Sequence, residues 1–211
     1  MTNDEQIARG RGRPPKQHRD KFQTREMLLI AGTEVVTEKG FSAVGVDEIL
    51  QRTGISRCSF YYYFKTKEGF GTELVERYRV SVIRKLERCL GDASRPVRNR
   101  LRAFVDEVRD DMVRTDCRSG CLVGKLAQEV NTLPESFRAQ LAAVFADWQA
   151  ALAHGLRLAQ EAGELSPELD CDRLAALFWY GWEGALQRAN LELDTTPIDL
   201  FIEGFFSRLT R

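Results

Sequence analysis

The chain is poor in the residues that most enzymes and metal centres depend on. Its 211 residues include only two histidines, His18 and His154. No phosphate-binding loop and no nucleophile elbow occurs, so enzyme activity is not expected. No metal site and no cofactor are therefore expected. The five cysteines are an odd number, and no apolar h-region follows the basic residues near the start, so reduced thiols are expected rather than a disulfide framework. No apolar run approaches the length of a membrane span. The expectation is a cytoplasmic, nucleoid-associated protein with no membrane partner. Alternation of period two is nowhere long enough for a strand, and no internal repeat is found, which points to an all-α chain.

What is present is a helix-turn-helix pattern. Val46, Ile49 and Leu50 fall on one face of a short helix, and Gly54 sits where a helix C-terminus favours positive φ. Ser56 reads as the N-cap of a second helix. That helix carries Arg57, Ser59, Tyr61, Tyr62 and Lys65, donors suited to base edges and phosphates, with Lys67 just beyond. Phe60 and Phe64 would pin it to the first helix. Consecutive aromatics cannot all face one core, so some of this run must face outward.

These residues resemble the TetR family of transcriptional regulators. The resemblance runs through Gly40-Phe41, Val46-Asp47-Glu48-Ile49 and the block Ser56-Arg57-Cys58-Ser59-Phe60-Tyr61-Tyr62-Tyr63-Phe64-Lys65-Thr66-Lys67, about 50 residues in all. Arg57-Cys58 departs from the commoner small or Lys-Gly residues at the start of the recognition helix, so base preference does not carry over. The resemblance implies an all-α homodimer: an N-terminal three-helix helix-turn-helix DNA-binding domain, then a C-terminal helical ligand-binding and dimerisation domain. It places the boundaries at 21–66 and 67–211, after a basic arm over 1–20. Val46, Arg57, Ser59, Tyr61, Tyr62, Lys65 and Lys67 are the DNA-binding candidates, and the expected target is double-stranded DNA carrying a palindromic operator.

The formal net charge is zero, but residues 1–68 hold 12 Lys plus Arg against 9 Asp plus Glu, so this part is +3 and the remainder −3. The excess is concentrated in the first 25 residues, where apolar side chains are nearly absent and a disordered arm is expected. Gly10-Arg11-Gly12-Arg13-Pro14 resembles an AT-hook, in which Arg11 and Arg13 would enter a narrow A·T-rich minor groove. A non-specific basic tail is the alternative.

Beyond the arm, helices are expected from about Thr24 to Lys39, from Thr66 to near Gly91, and over Pro96–Asp116, Cys121–Asn131, Pro134–Glu161, Cys171–Leu193 and Pro197–Leu209. The helix from Thr66 links the head to the body, so a shift at one end could swing the other. Cys117 and Cys121 bracket a loop-to-helix junction. There a helix N-terminus with Arg118 and Lys125 would lower a thiol pKa. The segment Gly120–Val130, together with Leu133-Pro134 and Phe178–Ala185, resembles a branch of the family that answers electrophiles or acrylate-like acids, several of whose members sense through a cysteine at the Cys121 position. Asn190 departs from it, standing where some members have lysine. Cys121 is either such a sensor or a small buried hydrophobe.

Trp179 and Trp182 share a helix face, and Glu183 is polar in an apolar segment, which makes these three the pocket candidates for a small-molecule effector. The last two helices carry enough apolar residues to bury on a second copy of the chain. The leading functional expectation is a regulator, in the repressor sense, released from its operator by a small molecule. The rival is a constitutive architectural protein of A·T-rich DNA, which footprinting would distinguish by its many protected sites.

Overall fold

The computed structural model describes residues 21–209, and among the described residues there are nine helices and no strand. The first three form the head: α1 (Lys21–Lys39), α2 (Val46–Thr53) and α3 (Arg57–Phe64). The body follows as α4 (Lys67–Leu90), α5 (Val97–Arg114), α6 (Leu122–Gln128), α7 (Glu135–Glu161), α8 (Cys171–Glu192) and α9 (Thr196–Leu209).

Capping chemistry sets most of these bounds. Gly40 takes φ +87° and closes α1 by donating to Val36 O at 2.9 Å, a backbone shape that costs a Cβ-bearing residue energy. Thr66 caps α4 by accepting from Gly69 N at 2.9 Å, and Asp170 caps α8 by accepting from Arg173 N at 2.9 Å. The structure shortens two expected helices. α5 stops at Arg114 because Asp116 and Cys117 both take left-handed φ, 49° and 55°. α6 begins after Cys121 and runs only to Gln128.

The head core is Leu28, Val35, Ile49, Phe60, Phe64 and Phe70, all buried. Phe70 belongs to α4, so head and body share one continuous apolar cluster. At the seam Gly71 lets the rings of Phe41 and Phe137 close in; a Cβ there would lie 2.6 and 2.7 Å from them. In the body, α4 packs on α7 and α5, α7 on α8, and α8 on α9. Buried Arg100 ties the far end together, pairing with Glu164 and donating to Leu90 O at 2.8 Å. Large apolar side chains remain uncovered on α8 and α9: Tyr180 is 70 % exposed, Leu191 75 % and Leu200 65 %.

Candidate functional site

The head is built as its sequence suggests. Gly54 takes φ +66° and donates to Leu50 O at 2.8 Å, ending α2. Ser56 then starts α3 by accepting from Ser59 N at 3.2 Å. Phe60 and Phe64, one turn apart, point inward and meet Phe70 with ring centroids 5.0 and 4.8 Å away. The opposite face of α3 presents Arg57, Tyr61 and Tyr62, with Lys65 capping its C-terminus, all exposed. Lys65 lies near Tyr62, its Nζ 5.7 Å from the ring centroid and donating to Tyr62 O at 3.2 Å. Arg57 pairs with Asp47 of α2. Ser59 is half-buried beside the cap, and Val46 is half-buried against the core.

Lys67, the last of the DNA-binding candidates, is held by the head itself. Its Nζ donates to Phe41 O at 2.7 Å and sits 4.6 Å from the centre of the Phe41 ring. Burial lowers its pKa, opposed by nearby Glu129. Arg11 and Arg13 lie outside the described residues.

The same Phe41 carries a contact that sequence reading did not foresee. Glu129, immediately after α6, accepts from Phe41 N at 2.9 Å and from Ser42 N at 2.7 Å. Gly40 makes room for it, since a Cβ there would lie 2.1 Å from Glu129 Oε1. The turn between α1 and α2 is thus clamped to the C-terminal end of α6. With the partners 88 residues apart, no local signal could have indicated it.

At the other end of α6 lies a partly open cavity of about 520 Å³. Its walls are Trp148, Trp179 and Trp182 with Phe104, Tyr78, Cys121 and Glu183. Trp148 and Trp179 stack at 4.9 Å. The cavity also reaches the head, where Thr33, Glu34, Thr37 and Glu38 of α1 and Arg52 of α2 complete it. Cys121 and Glu183 form a partition, because both also line an outer cavity of about 430 Å³ with Lys125 and Asn190. The structure therefore groups Cys121, Trp179, Trp182 and Glu183, and sets Lys125 on the outer side. Cys117 borders neither cavity. It is buried, and its carbonyl accepts from Asn190 Nδ2 at 2.8 Å.

The thiols do not have the lowered pKa values that the sequence suggests. Burial pushes Cys121 well above the ordinary thiol range, and the neighbouring Glu183 carboxylate adds to the shift. The Gly124 N–H, which donates to Sγ at 3.3 Å, opposes both but does not offset them. α6 is too short for a strong terminal dipole, and Arg118 faces solvent, so desolvation wins. Cys117 is shifted upward for the same first reason, with Asp194 and Asp116 adding to it. Glu183 itself is pushed up to about 7 by burial. Two enclosed polar atoms of cavity-lining residues, Trp179 Nε1 and Glu183 Oε1, have no hydrogen-bond partner, a costly arrangement.

Residues 28–74 match the model for bacterial regulatory proteins of the tetR family, and residues 98–205 match the tetracyclin repressor-like C-terminal domain. The chain belongs to the TetR family. It is 45% identical over 195 residues to the transcriptional regulator AcuR of Cereibacter sphaeroides, spanning 92% of this chain and 89% of AcuR. The crystal structure of a regulatory protein TetR from Rhodobacter sphaeroides superposes with a TM-score of 0.82 at 45% identity, covering 86% of this chain and 96% of that one. The HTH-type transcriptional repressor NemR of Escherichia coli is 31% identical over 121 residues, 57% of this chain and 61% of NemR. The reduced form of E. coli NemR superposes at 0.76 with 27% identity over 86% of this chain and 95% of that one. This TetR-family chain is accordingly a DNA-binding transcriptional regulator of the helix-turn-helix type, and its relatives are regulators rather than enzymes. Among the described residues, no helix is long and apolar enough to cross a membrane.

Proposed function

We propose that the protein is a repressor that binds a palindromic operator as a homodimer and leaves it when a small molecule occupies the cavity beneath α1. The observation that carries this reading is the cavity itself. Its floor is the aromatic interior of the body and its roof is α1 and α2 of the head, so an occupant touches the element whose position decides DNA binding. Two links would pass the displacement on. One is α4, which begins next to the recognition helix and carries Tyr78 into the cavity. The other is α6, with Cys121 at its start and the Glu129 clamp at its end.

Uncovered Tyr180, Leu191 and Leu200 on α8 and α9 give a second copy an apolar face on which to pair. Two recognition helices then reach successive major grooves roughly 34 Å apart, and the site they read is two-fold symmetric. An arm bearing Arg11 and Arg13 would add minor-groove contacts on either side. Within this reading, an electrophilic effector attaches covalently to Cys121, and the added bulk cannot be held in a packed partition without moving α6. The test is operator binding followed by fluorescence anisotropy before and after electrophile treatment. Cys121→Ser should bind operator yet fail to release it, while Cys89→Ser and Cys171→Ser, which change buried thiols that line neither cavity, should release it as the parent does. Normal release by Cys121→Ser would refute the covalent route and leave reversible occupation of the same cavity.

A further inference from the structure

The environment of Cys121 poses a chemical problem. The attacking species in thiol chemistry is the thiolate, yet this thiol is buried, shifted upward and close to a carboxylate. A thiol held in that way reacts at neutral pH only if its proton has somewhere to go as the new bond forms.

The structure supplies the place. Glu183 reaches α6 at the one position of the first turn that lacks a Cβ; a Cβ on Gly124 would lie 2.0 Å from Glu183 Oε2 and 3.5 Å from the Cys121 Cβ. Cys121 Sγ accepts from Gly124 N at 3.3 Å, which holds the sulfur on that same side, where it interacts with the Glu183 carboxyl and the Tyr78 hydroxyl. Trp179 stands one helical turn before Glu183 on α8, so both side chains share a face. The indole is 2 % exposed and its Nε1 has no partner, and neither does Glu183 Oε1. A sulfur nucleophile and a carboxyl group therefore meet at a wall of the cavity that Trp179, with its unused N–H donor, also lines.

We propose that Glu183 takes the Cys121 proton during conjugate addition to an α,β-unsaturated carbonyl compound and returns it to the adduct, with Trp179 Nε1 donating to the carbonyl oxygen. This rests on the covalent reading given above. As Sγ bonds to the β-carbon, its proton passes to the Glu183 carboxylate and the carbon–carbon π pair moves toward the carbonyl, forming an enolate. The indole N–H stabilises the oxygen that gains charge. Glu183 then gives the proton to the α-carbon, leaving a saturated thioether and a carboxylate again. No oxidant or reductant is consumed. A carboxyl group titrating near 7 is matched to taking and returning a proton at neutral pH.

The probe is acrylamide, a neutral acceptor, added to the full-length protein. Adduct formation at Cys121 is followed by mass spectrometry with peptide mapping between about pH 6 and pH 9. For the unmodified sequence the rate should rise through about pH 7 and level off, as the carboxyl group ionises. Glu183→Gln should slow addition at pH 7 by roughly a hundredfold or more, with a rate that keeps climbing about tenfold per pH unit. Trp179→Phe should slow addition of acrylamide but not alkylation by iodoacetamide, which builds no enolate. A wild-type rate that climbs without levelling overturns the proposal whether or not the variants fold. So does a Glu183→Gln variant that reacts as fast or faster, which would make the carboxylate a brake on the thiol. Absence of any adduct at Cys121 would instead defeat the covalent reading itself.

Discussion

Removing the Glu129 side chain should uncouple the effector cavity from the head. Its two oxygens accept from Phe41 N and Ser42 N at 2.9 and 2.7 Å, the first in a partly buried setting and the second at the surface. A hydrogen bond to a charged group contributes about 1.5–3 kcal/mol when shielded and less when water can replace it. Glu129→Ala therefore costs about 3 kcal/mol of docking energy, roughly a hundredfold in the equilibrium between a docked and a free α1–α2 turn. The Lys67 ammonium still holds Phe41 O, so the head should stay folded. Amide hydrogen exchange over residues 40–45 reads the docking directly, and the ratio of operator affinities with and without effector reads the coupling. Protection at Phe41 should fall by about two orders of magnitude and the affinity ratio should shrink toward one. Unchanged exchange together with an unchanged ratio would refute α6 as a route and leave α4 as the only link.

Three further outcomes are expected. Tyr62→Ala and Lys65→Ala remove exposed groups on α3 and at its C-cap, and each should weaken operator binding by about 1–3 kcal/mol without changing the helical content measured by circular dichroism. Unchanged operator affinity in both variants would show that this face of α3 does not read DNA. Glu183 is raised to about 7, so its protonated form is favoured by folding: its stabilising contribution is complete below the unfolded carboxyl range and is lost as pH climbs through about 7, roughly 3 kcal/mol in all. Thermal melts across that window should show the parent losing stability relative to Glu183→Gln, and parallel curves would contradict the placement of this carboxyl group. Gly124→Ala drives a methyl group into Glu183 Oε2, the far end of a flexible side chain, so the carboxyl group must swing aside and the cost in denaturant unfolding should stay at about 1 kcal/mol, a penalty that a second change, Glu183→Ala, relieves.

The parts of this molecule that sequence reading reached are those set by local chemistry. Gly54 and Ser56 specify the turn through their own backbone and hydroxyl, and the spacing of Phe60 and Phe64 separates the buried side of α3 from exposed Tyr61 and Tyr62. Trp179, Trp182 and Glu183 share a helical stripe, so their meeting at one cavity was visible in their spacing. Other features depend on elements far apart in the chain. The thiol environment of Cys121 is decided first by its burial and then by Glu183 of α8, and basic neighbours in sequence gave the opposite sign. Lys67 belongs to the right motif, yet Phe41, 26 residues earlier, captures its ammonium. Asp116 and Cys117 carry no glycine to announce their left-handed turn, which is accompanied by a hydrogen bond from distant Asn190.

Occupation of the cavity at Cys121 should itself release DNA. The most direct measurement treats one operator-bound sample with increasing electrophile and reads two quantities from it, the fraction of Cys121 modified by mass spectrometry and the fraction of operator released by anisotropy. The two curves should coincide, with Cys121→Ser showing neither. Operator that stays fully bound when Cys121 is completely modified would contradict the account.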